Sequence, residues 1–236
     1  MSEIRCVVFD IDDTLFLERD YVRSGLEKVG AWVRENLGAG DFFERAWGAF
    51  DQGVRGTIIN EGLERCGVEP TPELVSTLVQ IYRGHDPDIS LLPDARSCLD
   101  ELHGRVHLGV VTDGPLQSQR AKARALRLER WMDHLIFTAE LGMGLGKPHP
   151  RSFQMIERAT GCSGAECAYV ADNPGKDFAG PKGLGWSTVR IRRAEGLHAT
   201  IDGGKDVDAE LADLWSFKMW SGWPMGPIVS DSASTP

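Results

Sequence analysis

The stretch Ile4-Arg5-Cys6-Val7-Val8-Phe9-Asp10-Ile11-Asp12-Asp13-Thr14-Leu15 is an apolar run that stops at a cluster of carboxylates. Residues 4–9 are rich in β-branched side chains. They lack polar alternation, as expected of a strand buried on both faces. Similar runs follow at residues 106–111, ending at Thr112; at 134–137; at 167–170, ending near Asp172; and at 186–191. Helical patterns lie between them, at residues 115–128 and at 150–160, where Phe153 and Ile156 are spaced by three. Strands alternating with helices predict an α/β fold built on a parallel sheet.

Residues 18–90 interrupt that rhythm. Val22, Leu26, Val29, Val33 and Leu37 fall at helical intervals, and residues 41–50, 57–65 and 71–82 read as three further helices. Thr71 is placed to cap the last of these, with Pro72 at its first position. The expected organisation is an α/β core from residues 1–17 and 91–195, a helical insert from 18–90, and a C-terminal extension from 196–236. Pro93-Asp94 marks the return to the core. In the extension, residues 206–215 read as one helix. Residues 216–227 are rich in Trp, Gly and Pro, with Trp215, Trp220 and Trp223 as candidates to pack on the core, and 230–236 read as a frayed end.

The chain has 236 residues, 42% of them apolar, enough to build a sizeable core. Its 35 acidic residues exceed its 26 basic ones, for a net charge of −9. That sign repels phosphate backbones and argues against nucleic-acid polymers as partners. No apolar run has the length of a membrane span, and the first residues do not resemble a signal peptide. The five cysteines are odd in number and lack paired metal-ligand spacing. They read as reduced thiols, so a cytoplasmic location is expected. Nothing in the sequence fixes an oligomeric state.

Chemistry gathers where the strands end. Asp10, Asp12 and Asp13 follow the first strand, Thr112 and Asp113 the second, Asp172 and Asp177 a later one, and Lys147 a glycine-rich loop. In open α/β sheets the ligand crevice lies outside the carboxyl ends of the strands. Clustered acids repel one another unless a cation neutralises them. Mg²⁺, which prefers oxygen ligands, is the simplest such cation. With Lys147 and Thr112 as donors to an anionic group, the set suits phosphoryl transfer to a carboxylate nucleophile.

Four of these segments together resemble the signature of the haloacid dehalogenase-like (HAD) hydrolase superfamily. Asp10-Ile11-Asp12-Asp13-Thr14 is similar to its DxDxT motif, and Val110-Val111-Thr112-Asp113-Gly114 to its second. Gly146-Lys147-Pro148-His149-Pro150, followed by Phe153, is similar to its third. The acidic loop from Val170 to Gly180 is similar to its fourth. The match spans about residues 4–191, and the insert resembles the helical cap of one subfamily. The fold so implied is a Rossmann-like parallel sheet core with an inserted α-helical cap domain. The resemblance implies that Asp10 attacks phosphorus and that Asp12 protonates the leaving oxygen and then activates water. It also implies that the Asp10 carboxylate, the Asp12 carbonyl and Asp172 hold Mg²⁺. Asp177 assists the metal or orients Lys147. Thr112, Asp113 and Lys147 are the candidate phosphate-binding residues, although Asp113, like Asp13, also reads as a loop-shaping group. The expected substrate is a small phosphorylated metabolite, a sugar phosphate or a nucleoside monophosphate.

Other readings are weaker. Ala171 and Pro181 depart from the usual pattern at positions that serve structure. Leu141 and Pro148 stand where a phosphate-binding P-loop needs other residues. Arg19, Arg23 and Arg55 read as solvated helix charges; Tyr21, Trp32, Phe42, Phe43 and Trp47 read as core; His149 reads as packing beside Lys147. The rival functions are a phosphomutase of the same superfamily, a 2-haloacid dehalogenase, and a non-catalytic binding protein with this fold. Asp12 argues against the dehalogenase, because a halide leaving group needs no proton. Filled motif positions argue against the binding protein.

Overall fold

The structure is a computed structural model and describes residues 3–221. Six parallel strands form one sheet: β1 (Cys6–Phe9), β2 (His107–Thr112), β3 (His134–Phe137), β4 (Cys167–Ala171), β5 (Ser187–Ile191) and β6 (Ala209–Leu211). Their order is β3-β2-β1-β4-β5-β6. β1 is flanked by β2 and β4, with Phe9 level with Val110 on one side and Val170 on the other. Every residue of β1 and β4 is buried, as their unbroken apolar sequences require. Apolar clusters cover both faces of the sheet, one around Val7, Phe9 and Val110, the other around Val8, Tyr169 and Trp186.

The helical insert comprises α1 (Glu18–Leu37), α2 (Phe42–Asp51), α3 (Ile58–Arg65) and α4 (Pro72–Gly84). These helices have a core of their own, including Val22, Leu26, Val29, Val33, Phe42 and Leu63. Phe42 therefore belongs to the core, as expected from its helical placement. Trp32, Phe43 and Trp47 pack against that core from partly buried positions. The Thr71 side chain accepts from the Leu74 N–H at 3.3 Å, with Pro72 opening α4. α5 (Pro93–Leu102), α6 (Leu116–Ala125), α7 (Arg151–Thr160) and α8 (Ala179–Gly183) return to the sheet. Among the described residues, no helix is long and apolar enough to cross a membrane.

Within residues 196–221 the extension adds a strand and a helix to the core. The single helix expected over 206–215 is not formed. Ala209–Leu211 is extended and pairs with β5, and Glu210 receives Arg190 at 2.8 Å and Arg192 at 2.9 Å. Two arginine contacts, one from the buried Arg190, and a strand ladder outweigh local helix preference there. The helix starts later, as α9 (Leu214–Ser221), where Asp213 accepts from the Ser216 N–H at 2.8 Å. Leu214 and Phe217 are buried against the sheet, and Phe217 meets Phe9 edge-on. Trp215 is 39% exposed, with Lys218 Nζ 4.4 Å from the centroid of its ring. The expected packing of Trp223 and the frayed end lie outside the described residues, as does the Trp220 side chain.

The root of the insert is held by buried charges. Asp13 sits in the left-handed region (φ 49°) and accepts from the Glu18 N–H at 2.8 Å and the Leu197 N–H at 2.7 Å. Arg193 donates to Asp94 at 2.6 Å and to the Thr14 carbonyl at 2.7 Å. Gly180 opens α8 hard against the loop that carries Lys147. A Cβ there would collide with the Pro148 carbonyl and come within 3.2 Å of Phe153. Gly180→Ala is expected to lower stability by about 1–3 kcal/mol, as overpacking does. Urea denaturation at equilibrium measures this, and an unchanged midpoint would contradict the close approach.

Candidate active site

The chain runs from β1 to β2 and β3 on one side, then crosses back from β3 to β4 on the other side of β1, which puts the switch point of the sheet between the carboxyl ends of β1 and β4. Asp10 is the first residue past β1, and its N–H donates to the Val170 carbonyl at 2.9 Å. Thr112 closes β2, Asp172 follows β4, Asp177 lies in the next loop, and Lys147 comes from the loop after β3. They converge. Lys147 Nζ lies 2.9 Å from Asp10 Oδ1 and 2.7 Å from Asp177 Oδ1. It also donates to the Tyr169 hydroxyl at 3.0 Å, which in turn donates to the Val111 carbonyl at 3.1 Å. The Lys147 side chain is fully buried.

Burial disfavours every charge in this centre, so partners decide each ionisation. Burial opposes the Lys147 ammonium, but Asp10 and then Asp177 outweigh it and push its pKa well up. Burial also opposes the Asp10 carboxylate, but Lys147 and then Lys176 hold its pKa below the ordinary range. Burial, reinforced by the Asp10 charge against the pull of Lys147, raises Asp177. Asp172 is pushed up to about 10, by burial first and then by the Asp10 and Asp177 charges.

That imbalance is a test for a cation. Asp10, Asp172 and Asp177 each offer an oxygen, all within 4.8 Å of one another. The buried Oδ1 atoms of Asp10 and Asp177 have no hydrogen-bond partner, although Lys147 is in ion-pair contact with both. One ammonium cannot neutralise three carboxylates. An all-oxygen, surplus-negative set fits a hard divalent ion such as Mg²⁺. The Asp12 carboxylate stands apart from this trio. Its Oδ1 meets Lys122 at 2.6 Å and its Oδ2 accepts from Gln119 at 3.1 Å.

Two further expected residues have partners that change their reading. The Thr112 hydroxyl donates to Gln119 Oε1 at 3.2 Å, so it must turn to reach an anion. Asp113 Oδ1 accepts from the Thr138 hydroxyl at 2.5 Å and from the Lys147 N–H at 3.2 Å. The Asp113 side chain is thereby tied into the loop that carries Lys147, which fits the loop-shaping reading of this residue. His149 accepts from the Arg151 N–H at 3.1 Å at the start of α7. Arg19 reaches Glu195 and Asp51, Arg23 pairs with Glu27, and Arg55 donates to the Phe50 and Val54 carbonyls.

A cleft of about 280 Å³ opens above Asp10, Asp12 and Asp172, walled by the insert on one side. Glu18, Tyr21 and Tyr82 come from the insert, while Lys122, Lys176 and His198 come from the core. Sequence reasoning missed most of these. Lys122 looks like one more solvated charge on α6. Its only signal is that Gln119 and Lys122, three apart, share a helix face just past the Thr112 strand end. His198 gives no local signal, because the buried Arg190 pins its loop by donating to the His198 and Ile201 carbonyls.

An open parallel sheet with a buried aspartate trio at its switch point and an inserted helical cap is the framework of a capped α/β hydrolase. The chain belongs to the haloacid dehalogenase-like hydrolase family, whose sequence pattern matches residues 4–185. It is 29% identical over 203 residues to the glyceraldehyde 3-phosphate phosphatase of Methanopyrus kandleri, covering 81% of this chain and 85% of that one. It is 31% identical over 174 residues to the phosphoserine phosphatase of Thermus thermophilus, covering 73% and 61%. It is 28% identical over 232 residues to the (S)-2-haloacid dehalogenase of Xanthobacter autotrophicus, covering 91% and 84%. Among solved structures, the HAD phosphatase of Thermococcus onnurineus superposes with a TM-score of 0.61 at 25% identity, covering 93% of this chain and 98% of that one. The HAD-hydrolase YfnB of Bacillus subtilis shares the fold, with a TM-score of 0.66 at 17% identity over 94% and 100%.

Glu18 supplies a pH prediction. Burial, then the Asp12 charge, against the pull of Lys122, push its carboxyl up to about 7. The folded chain therefore keeps a proton that the unfolded chain has lost, and the stability contributed by Glu18 falls as pH rises from about 4 through 7. Glu18→Gln removes that dependence. Its urea midpoint should gain on wild type at about pH 8 and match it near pH 4. A gain that is the same at both pH values would contradict the assignment.

Proposed function

We propose that this hydrolase is a Mg²⁺-dependent phosphatase that acts on a small phosphorylated metabolite through an aspartyl-phosphate on Asp10. The observation that carries the reading is the second carboxyl group, Asp12, in the same cleft as Asp10 and held at both oxygens. An ester oxygen needs a proton to leave, and a halide does not. The relatives named above include both phosphatases and a dehalogenase, and Asp12 favours the former.

In the first step an Asp10 oxygen bonds to phosphorus as the phosphorus–oxygen bond of the ester breaks. Asp12 gives its proton to the departing oxygen. In the second step Asp12, now a carboxylate, takes a proton from water. The water oxygen bonds to phosphorus, the acyl-phosphate bond breaks, and Asp10 is restored. Lys147 keeps Asp10 ionised and offsets the charge of the incoming phosphoryl group, whose approach to a bare carboxylate would be repelled. Thr112, once turned from Gln119, offers a hydroxyl to a phosphoryl oxygen. Asp10, Asp172 and the Asp12 carbonyl would hold the Mg²⁺, with Asp177 behind them. When bound, the ion supplies charge neutralisation for the phosphoryl oxygens. The insert, with Glu18, Tyr21 and Tyr82 over the cleft, shields the reacting atoms from bulk water.

A panel of sugar phosphates, nucleotides and other phosphate esters, assayed with Mg²⁺ and with a chelator, tests this function. Phosphate release that requires Mg²⁺ is expected, with isomer formation instead marking a mutase. Asp10→Asn should lose at least about 10³-fold, and Asp12→Asn about 10²–10⁴-fold. Undiminished turnover by Asp10→Asn would remove it as the nucleophile. Separately, Asp172→Asn should abolish Mg²⁺ binding measured by calorimetry in the absence of substrate. Unaltered affinity would place the ion elsewhere.

A further inference from the structure

The residues that grip Asp12 form a second constellation beside the Lys147 centre, and none of the four strand-end motifs contains both of them. Lys122 Nζ lies 2.6 Å from Asp12 Oδ1, and Gln119 Nε2 donates to Asp12 Oδ2 at 3.1 Å. Gln119 is itself fixed at both ends. Its Nε2 also donates to the Asp113 carbonyl at 2.9 Å, and its Oε1 accepts from Thr112 at 3.2 Å. Lys122 is only 3% exposed and lies 4.3 Å from the centroid of the Tyr21 ring, which comes from the cap. An ammonium group is costly to bury unless it is paired. Here its partners are the Asp12 carboxylate and an aromatic face.

A proton donor works only when aimed. A loop aspartate has several accessible rotamers, and a displacement of about 1 Å at a reacting group can cost 10²-fold in rate. We propose that Lys122, together with Gln119, is a positioning residue that holds the Asp12 carboxyl toward the leaving oxygen. Each Asp12 oxygen still has a lone pair beyond the bond that holds it, so the clamp leaves room for the transferable proton. Tyr21 closes the seat from the cap side, so the clamp is shared between core and cap. This inference rests on the phosphatase function proposed above. It places Lys122 on the acid and not on the phosphoryl group.

Leaving-group dependence separates these roles. Ethyl phosphate needs a proton on its departing oxygen, whereas p-nitrophenyl phosphate releases a stable anion. For Lys122→Met, kcat/KM on ethyl phosphate should fall about 10²-fold, and on p-nitrophenyl phosphate at least about tenfold less. Lys122→Arg should recover most of the loss, and Gln119→Leu should shift the same ratio in the same direction. Equal losses on both esters would overturn the proposal, as a general structural role would produce. A higher KM with unchanged kcat would also overturn it, because that is the mark of a phosphate-binding lysine. If Lys122→Met fails to fold by circular dichroism, the same ratio in Gln119→Leu decides. Wild type that releases phosphate neither from these two esters nor from any ester of the panel above, with or without Mg²⁺, would instead refute the phosphatase function, and this inference with it.

Discussion

A single ammonium group, Lys147 Nζ, is fully buried and is shared between two carboxylates from different loops. Taking three such charges out of solvent costs several kcal/mol each, and only close mutual contact offsets it. That requirement ties the loop after β3 to the ends of β1 and β4. Tyr169 adds a hydroxyl from within the sheet and passes the connection to β2 through the Val111 carbonyl. The centre is therefore rigid on the amine side and over-supplied with negative charge on the other. The first property holds Asp10 in place. The second makes the site receptive to a divalent cation.

The cap and the core are stabilised differently. Within the cap, four helices enclose an apolar interior of ordinary kind. At its root the contacts are polar and buried: Asp13 accepts from two backbone N–H groups, and Arg193 pairs with Asp94. Removing one partner from such a set leaves an uncompensated charge, so these residues fix where the cap attaches more than they add to net stability. The cleft between the two bodies is lined mainly by polar groups from both, which suits a charged small molecule.

Much of this was legible in the sequence because its physics is local. Short, unbroken apolar runs such as 6–9 and 167–170 suit strands covered on both sides, and carboxylates at their ends fall at the sheet rim wherever the sheet is placed. Thr71 and Pro72 announce a helix start by their own chemistry. What escaped was set by distant partners. Residues 209–211 are extended because β5 and two arginines are there to receive them. Lys122 is buried because Asp12, 110 residues away along the chain, pairs with it. Thr112 was read as a free donor, and only the folded arrangement brings Gln119 within reach of it.

Asp13 grips two segments at once, the first turn of the cap and the backbone of Leu197. Leu197 packs against the cap interior, and the next residue, His198, overhangs the acids and touches Asn173. The start of the cap and the roof over the acids thus share one anchor, a single buried carboxylate, and any turn of the first about that anchor would draw the second with it.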